Sequence, residues 1–286
     1  VSKTDPIQAA RTDAEALAGD LPGVLLEARR LAAAAPGSHG RRRAGTGEAF
    51  WQFRDHRPED GAKLVDWRRS ARGERLYVRE REKEAAQSAL FWIDPDPGFA
   101  WGSDGPWPTK ARRALTIALA FAMLLTRGGE RVGALGGPGL RAGPRAVERL
   151  GHELIGAARA NPPPPPTRAA VLYFTDGYAP IEHWTARLKS AAGAGANGAL
   201  VLVCDPAEED FPFEGRVRFE RPGARDTVLF GRAQSARAAY AARLAAQRTA
   251  LRNAARAADF ITLIHRTDRP PAPILAQLSD ALQERR

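Results

Sequence analysis

The feature that most constrains this chain is the regular alternation, from Ser88 onward, of short apolar runs with longer amphipathic ones. Ser88–Asp94, Arg131–Leu135, Ala169–Thr175, Ala199–Cys204 and Phe260–His265 are too short for helices and rich in branched or aromatic side chains, so each predicts a strand. Between them, Thr109–Arg127, Arg145–Arg159, Ile181–Ala192, Ala233–Ala258 and Ala272–Leu282 carry apolar residues at helical spacing. In the longest, Tyr240, Leu244, Gln247, Leu251, Ala254 and Ala258 share one face and the arginines take the other. A further strand is expected at Arg216–Glu220, just ahead of that helix. Alternation of this kind predicts an α/β fold, a doubly wound, mostly parallel sheet covered on both faces.

The chain upstream reads differently. Leu17, Leu21, Val24, Leu25, Ala28 and Leu31 recur at helical spacing, with a break expected at Pro22 and Gly23, so residues 1–39 predict a helical segment, either a hairpin or a bent helix. Gly37 to Gly47, with Arg41, Arg42 and Arg43, is a polar entry to the next section. Ala49 to Glu84 mixes aromatics with dense, alternating charge and includes the β-like pieces Phe50–Phe53 and Leu76–Arg79, so residues 40–86 predict a small arm or subdomain before an α/β domain over 87–286. The proline run Pro162–Pro166 is a stiff spacer or a docking segment for an aromatic-lined partner domain.

Composition narrows the function classes. Cys204 is the single cysteine, which excludes an intramolecular disulfide and a cysteine-based zinc site. The longest apolar stretch, Ala114–Leu125, falls short of the roughly 20 residues that a membrane span needs. Val1–Gly19 holds Asp5, Asp13 and Glu15 without an apolar signal core, so a cytoplasmic location is expected. A net charge of +10 suits an anionic partner, and nucleic-acid binding is one alternative. Yet the lysines are few (Lys3, Lys63, Lys83, Lys110 and Lys189), and the arginine excess accompanies abundant alanine, glycine and proline, a pattern of base composition. His39, His56, His152, His183 and His265 show no ligand spacing, and Gly136, Gly137 and Gly139 lack the lysine and hydroxyl of a P-loop.

Open parallel sheets bind ligands beyond the carboxyl ends of their strands, where strand order reverses. Asp94, Asp176 and Asp205 end three predicted strands and Asp96 lies just past the first. Carboxylates gathered at one edge repel unless a cation or proton separates them, which points to a hard metal such as magnesium; capping of the next helix or turn is the other reading. Asp94-Pro95-Asp96 after an apolar strand also resembles the nucleophile motif of haloacid dehalogenase-type phosphatases, which would make Asp94 nucleophile and Asp96 general acid, with Thr175, Lys189 and Asp205 in supporting roles.

A longer motif lies upstream. Phe53-Arg54-Asp55-His56-Arg57-Pro58-Glu59-Asp60, then Val65-Asp66-Trp67-Arg68-Arg69-Ser70-Ala71-Arg72 and Leu76-Tyr77-Val78-Arg79-Glu80, resembles the signature of bacterial domain of unknown function 58. Glu59 stands where that family usually has glycine. The resemblance implies a von Willebrand factor A-like, Rossmann-type core. It also implies a non-enzymatic adaptor that acts with AAA+ ATPases of the MoxR type in assembling or maturing other proteins. On that reading Arg54, Asp60, Asp66, Trp67, Arg68, Ser70 and Arg72 form the signature or partner-binding set, with ion pairs arranged around Trp67. The von Willebrand metal site uses Asp-x-Ser-x-Ser, a threonine and a second aspartate. Here Asp94 and Asp176 match the aspartates, Asp96 and Gly98 replace the serines, and residues 127–166 contain no serine or threonine. The expectation is therefore a degenerate site, with no cofactor required and magnesium at most at a modified cluster of Asp94, Asp96 and Asp176.

Overall fold

The computed structural model describes residues 6–35, 50–55, 70–71, 75–81, 88–156, 160–222 and 227–283. The chain divides into two compact units, residues 40–87 and the remainder.

In the smaller unit, β1 (Phe50–Asp55) pairs antiparallel with β2 (Tyr77–Arg81). Arg54 faces Val78 across the ladder, and Ser70 is buried with its Oγ accepting the Tyr77 N–H at 2.9 Å, which fixes the start of β2. Asp60, Asp66, Trp67, Arg68 and Arg72 lie outside the described residues.

The larger unit begins with α1 (Pro6–Ala34) and continues through β3 (Ser88–Ile93), α2 (Pro97–Ala100), α3 (Lys110–Arg127), β4 (Arg131–Ala134) and α4 (Pro144–Gly156). It goes on with β5 (Ala170–Thr175), α5 (Ile181–Gly193), β6 (Asn197–Cys204), α6 (Pro206–Asp210), β7 (Val217–Glu220) and β8 (Thr227–Phe230). A 3-10 turn (Ala233–Ala236), α7 (Arg237–Ala257), β9 (Phe260–Arg266) and α8 (Ala272–Gln283) complete it.

Five strands form one parallel sheet in the order β4-β3-β5-β6-β9, so the alternation does produce a doubly wound α/β fold. Successive side chains of a strand point to opposite faces, and both faces here are dry. Phe91, Ile93, Leu172, Phe174, Val201 and Val203 pack toward α1, α3, α4 and α8. Leu90, Trp92, Val171, Tyr173, Leu200 and Leu202 pack toward α5 and α7. Among these, Trp92, Tyr173 and Trp184 meet edge to face at 5.9–6.0 Å, and the Arg187 guanidinium lies 4.4 and 4.7 Å from the Trp92 and Trp184 ring centroids. At Gly198 (φ 147°) an added Cβ would fall 1.9 Å from the Val171 carbonyl oxygen, so β5 and β6 can close only because the position is glycine.

Helix α3 starts where the Thr109 side chain accepts the Arg112 N–H, and it is apolar nearly all round because helices cover it on the side away from the sheet. No helix among the described residues is long and apolar enough to cross a membrane.

Three expectations change. The N-terminal segment is one helix that runs through Pro22, not a hairpin: Leu21, Val24, Ala28 and Ala32 are buried along it, and packing on α3 and α4 overrides the local break. The segment near Arg216 does not join the parallel series. It becomes β7, paired antiparallel with β8 in a separate two-stranded sheet. Its alternation of Val217 and Phe219 with Arg218 and Glu220 is the pattern of a half-buried antiparallel strand, unlike the continuous apolar runs of β5 and β6. Finally, the helix expected from Ala233 opens as the 3-10 turn before α7.

Candidate functional site

Strand order reverses between β3 and β5, because the chain leaves β3 toward β4 on one side and later leaves β5 toward β6 on the other. The crevice beyond these two strand ends is the ligand position of such a sheet. Asp94, Thr175 and Asp176 all reach it from their strands.

Asp94 continues β3 by one rung, its N–H bonded to the Phe174 carbonyl at 2.9 Å. Its Oδ2 accepts the Thr175 hydroxyl at 2.7 Å and its Oδ1 accepts the Asp96 N–H at 3.1 Å. Burial holds the Asp94 carboxyl above its ordinary pKa. The Thr175 and Asp96 hydrogen bonds oppose that rise, while the charges of Asp176 and Asp96 add to it. Asp96 caps α2, with Oδ1 accepting the Gly98 N–H at 2.8 Å, and its Oδ2 takes the Arg221 guanidinium at 2.9 Å. Asp176 accepts the Tyr178 N–H on Oδ1 at 3.1 Å and the Lys110 ammonium on Oδ2 at 2.9 Å. The turn after it needs the left-handed Gly177 (φ 78°), and Gln247 of α7 holds that turn by donating to the carbonyls of Gly177 and Ala179 at 3.0 Å each.

Lys110, at the first position of α3, organises this edge. Its side chain is 1% exposed and is paired with Glu208 as well as Asp176. Burial works against the ammonium, but the charges of Asp176 and Glu208 and their hydrogen bonds outweigh it and leave Lys110 above its ordinary pKa. Glu208 in turn is raised by burial, with Lys110 pulling it down. The same Glu208 closes a capping box on α6: its Oε2 accepts the Asp205 N–H at 3.0 Å, and Asp205 Oδ1 accepts the Ala207 N–H at 2.9 Å. Asp205 is fully buried, and its second oxygen takes the Ser103 N–H at 2.9 Å.

The acids that the sequence marked therefore do meet at the strand ends, but each is engaged. All six carboxylate oxygens of Asp94, Asp96 and Asp176 accept a hydrogen bond from the protein, and the cation beside Asp176 is an ammonium. Among the described residues no group of three His, Cys, Asp or Glu side chains is arranged to hold a metal, and a magnesium-like ion at Asp176 would be repelled by the Lys110 ammonium already there. Lys189 is exposed on α5, with no hydrogen bond or ion pair to these acids. Lys110 and Glu208 are the residues that sequence reasoning missed. Asp205-x-x-Glu208 is a legible capping box, whereas Lys110, followed by Arg112 and Arg113 in the same turn, carries no local signal that sets it apart from a solvated lysine.

Around this closed network the surface is aromatic. Trp101 (37% exposed) and Tyr178 (41%) lie with ring centroids 5.8 and 5.5 Å from the Lys110 nitrogen. The Tyr178 hydroxyl meets that of Tyr240 at 3.1 Å, Tyr240 lies 5.0 Å from Phe211, and Phe211 contacts Phe213 and Phe219 at 5.3 and 5.8 Å. A run of neighbouring aromatic rings, exposed at Trp101 and Tyr178 and buried at Phe211, thus leads from the strand ends to the β7–β8 ribbon.

No curated protein matches this chain. Among solved structures, the crystal structure of an aerotolerance-related membrane protein from Bacteroides fragilis NCTC 9343 with multiple mutations to serines is similar at 11% identity and a TM-score of 0.38, over 69% of this chain and 99% of that one. Residues 52–142 match the family model described as protein of unknown function DUF58, a segment that includes the Phe53-to-Glu80 motif.

Proposed function

We propose that this chain is a non-enzymatic protein-interaction module, an adaptor for a MoxR-type AAA+ ATPase, that makes contact through the aromatic strip at its strand ends. The observation that carries the reading is the pair Trp101 and Tyr178, exposed on the rim of an edge whose acids are already paired. Exposed aromatic rings over a rigid, hydrogen-bonded base are the anchors from which interfaces draw most of their binding energy. A nucleophilic role for Asp94 fits less well, since both its oxygens are held by protein donors and its partner acid Asp96 is tied to a helix cap and Arg221. A cytoplasmic location is consistent with such a partner.

Titration calorimetry of the purified chain against a MoxR-type ATPase tests the reading. The double variant Trp101→Ala, Tyr178→Ala is expected to bind at least about tenfold more weakly, a loss of about 1.4 kcal/mol, while melting near the parent temperature. Unchanged affinity, or no binding by the parent chain, overturns it. Aryl phosphate turnover that disappears in Asp94→Asn would replace it with the phosphatase reading.

A further inference from the structure

The β7–β8 ribbon contributes no strand to the main sheet, and its two faces differ. Cross-strand pairing sets Val217 opposite Phe230 and Phe219 opposite Val228, so these four side chains share one face. That face continues the aromatic strip: Phe219 meets Phe213 at 5.0 Å and Phe230 at 5.7 Å. It is not covered. Val228 is 54% exposed, and Phe213, Phe219 and Phe230 are each half-buried.

The charge around this face is one-sided. Among the described residues from Phe211 to Tyr240 there are five arginines against two acids. Arg216 and Arg232 flank the open end of the ribbon, where Val217 and Phe230 pair; both are exposed, and neither has a carboxylate partner among the described residues. Arg221 follows β7 at the other end, and its pair with Asp96 is exposed on both sides. Arg218 pairs with Glu220 on the ribbon's own surface, and Arg237 reaches Glu214 at 3.9 Å. Exposed pairs of this kind contribute little to stability, so these guanidinium groups can exchange their partners at small cost, and each offers a fork suited to a carboxylate.

We infer that the Val217–Phe219–Val228–Phe230 face docks an acidic segment of a partner protein. Apolar or aromatic side chains of that segment rest on Phe213, Phe219, Val228 and Phe230, and its carboxylates reach Arg216, Arg221 and Arg232. The charge complementarity selects the partner: an apolar face between arginines rejects a basic segment by repulsion and receives an acidic one with a faster encounter. A nucleic acid would find the arginines but would leave the aliphatic Val217 and Val228 uncovered. This inference rests on the interaction-module reading and assigns the partner's chemistry, at a place separate from Trp101 and Tyr178.

Fluorescence polarisation on the full chain tests it, with three probes: an acidic peptide with alternating Phe and Leu anchors, a peptide in which lysines replace its acids, and a single-stranded oligonucleotide. The acidic peptide is expected to bind at least about tenfold more tightly than either other probe. Arg216→Glu with Arg232→Glu should abolish that preference, and Val228→Ser should weaken the acidic peptide while leaving the preference in place. All three positions are exposed, so a melting scan shows whether folding is retained. Equal binding of the two peptides, binding of neither, tighter binding of the oligonucleotide, or a preference that survives the double reversal overturns the inference. If the ATPase binds through Trp101 and Tyr178 but is indifferent to Arg216 and Arg232, this inference alone falls. If the peptide preference holds while no ATPase binds, the ATPase reading alone falls.

Discussion

Lys110 and Arg113 leave the same turn of α3 and both are buried, yet their surroundings are opposite. Lys110 is clasped by two carboxylates and sits above its ordinary pKa. Arg113 donates to the Thr267 carbonyl at 3.0 Å, and its near carboxylate, Glu27, is 3.7 Å away and partly in water. Its pKa is lowered by burial, and the neighbouring charge of Arg112 adds to this against the pull of Glu27. Arg113 Nε, His265 Nε2 and Thr267 Oγ1 have no hydrogen-bond partner among the described residues. Two buried cations on one turn thus end in a saturated cluster at Lys110 and an open one at Arg113. What differs is whether opposite charge arrives from another element: α6 and the end of β5 supply it to Lys110, whereas Arg113 meets a strand end bearing a histidine and a threonine.

The sharpest way to break this comparison is to remove the clasped cation. Lys110→Met leaves Asp176 and Glu208 buried without their partner and is expected to cost about 3–5 kcal/mol in urea unfolding. Adding Asp176→Asn and Glu208→Gln should restore most of that loss. A cost under about 1 kcal/mol would mean that the network is no more than a surface pair.

A smaller effect is expected at the open cluster, as pH dependence. Burial pushes His265 down to about 4 from an ordinary 6.5, with the charge of Arg113 acting in the same direction. Between those values the unfolded chain binds the proton and the folded chain does not. Stability from this group is therefore complete above about pH 6.5 and falls as pH drops toward 4, by up to about 1.4 kcal/mol per unit. Asp94 and Glu208, raised by burial, act with the opposite sign, since the folded chain keeps their protons longer. The difference between the parent and His265→Gln isolates the histidine, and equal slopes for the two would sink the assignment.

The least change is expected at Arg113→Met. Glu27 is exposed enough to regain water, so unfolding should shift by less than about 1 kcal/mol in either direction. A loss as large as that of Lys110→Met would erase the distinction between the two cations.

Much of the fold was legible because period and length carry it. The runs ending at Asp94, Thr175 and Cys204 are continuous and apolar, and they became the central parallel strands β3, β5 and β6. The alternating run at Val217–Glu220 carried an equally clear signal for an antiparallel strand, but its partner Thr227–Phe230 is only four residues long and lacks that alternation, so the pairing was not evident. At the site, the aspartates were visible as strand ends. Lys110 was not, because a lone lysine at a helix start reads as solvated until the burial around it is known.

By itself, then, the sequence determined the doubly wound sheet, the arrival of Asp94 and Asp176 at its switch point and the segment around Trp67 that matches the DUF58 model. All of these follow from local pattern along the chain. Tertiary structure decided what those aspartates do. Whether a carboxylate at a strand end meets a metal, a substrate or an ammonium depends on which side chains other elements bring to it. Here α3 brings Lys110, from a position far away in the chain, to an edge whose negative charge α6 enlarges with Glu208, and the ammonium lies between the two carboxylates.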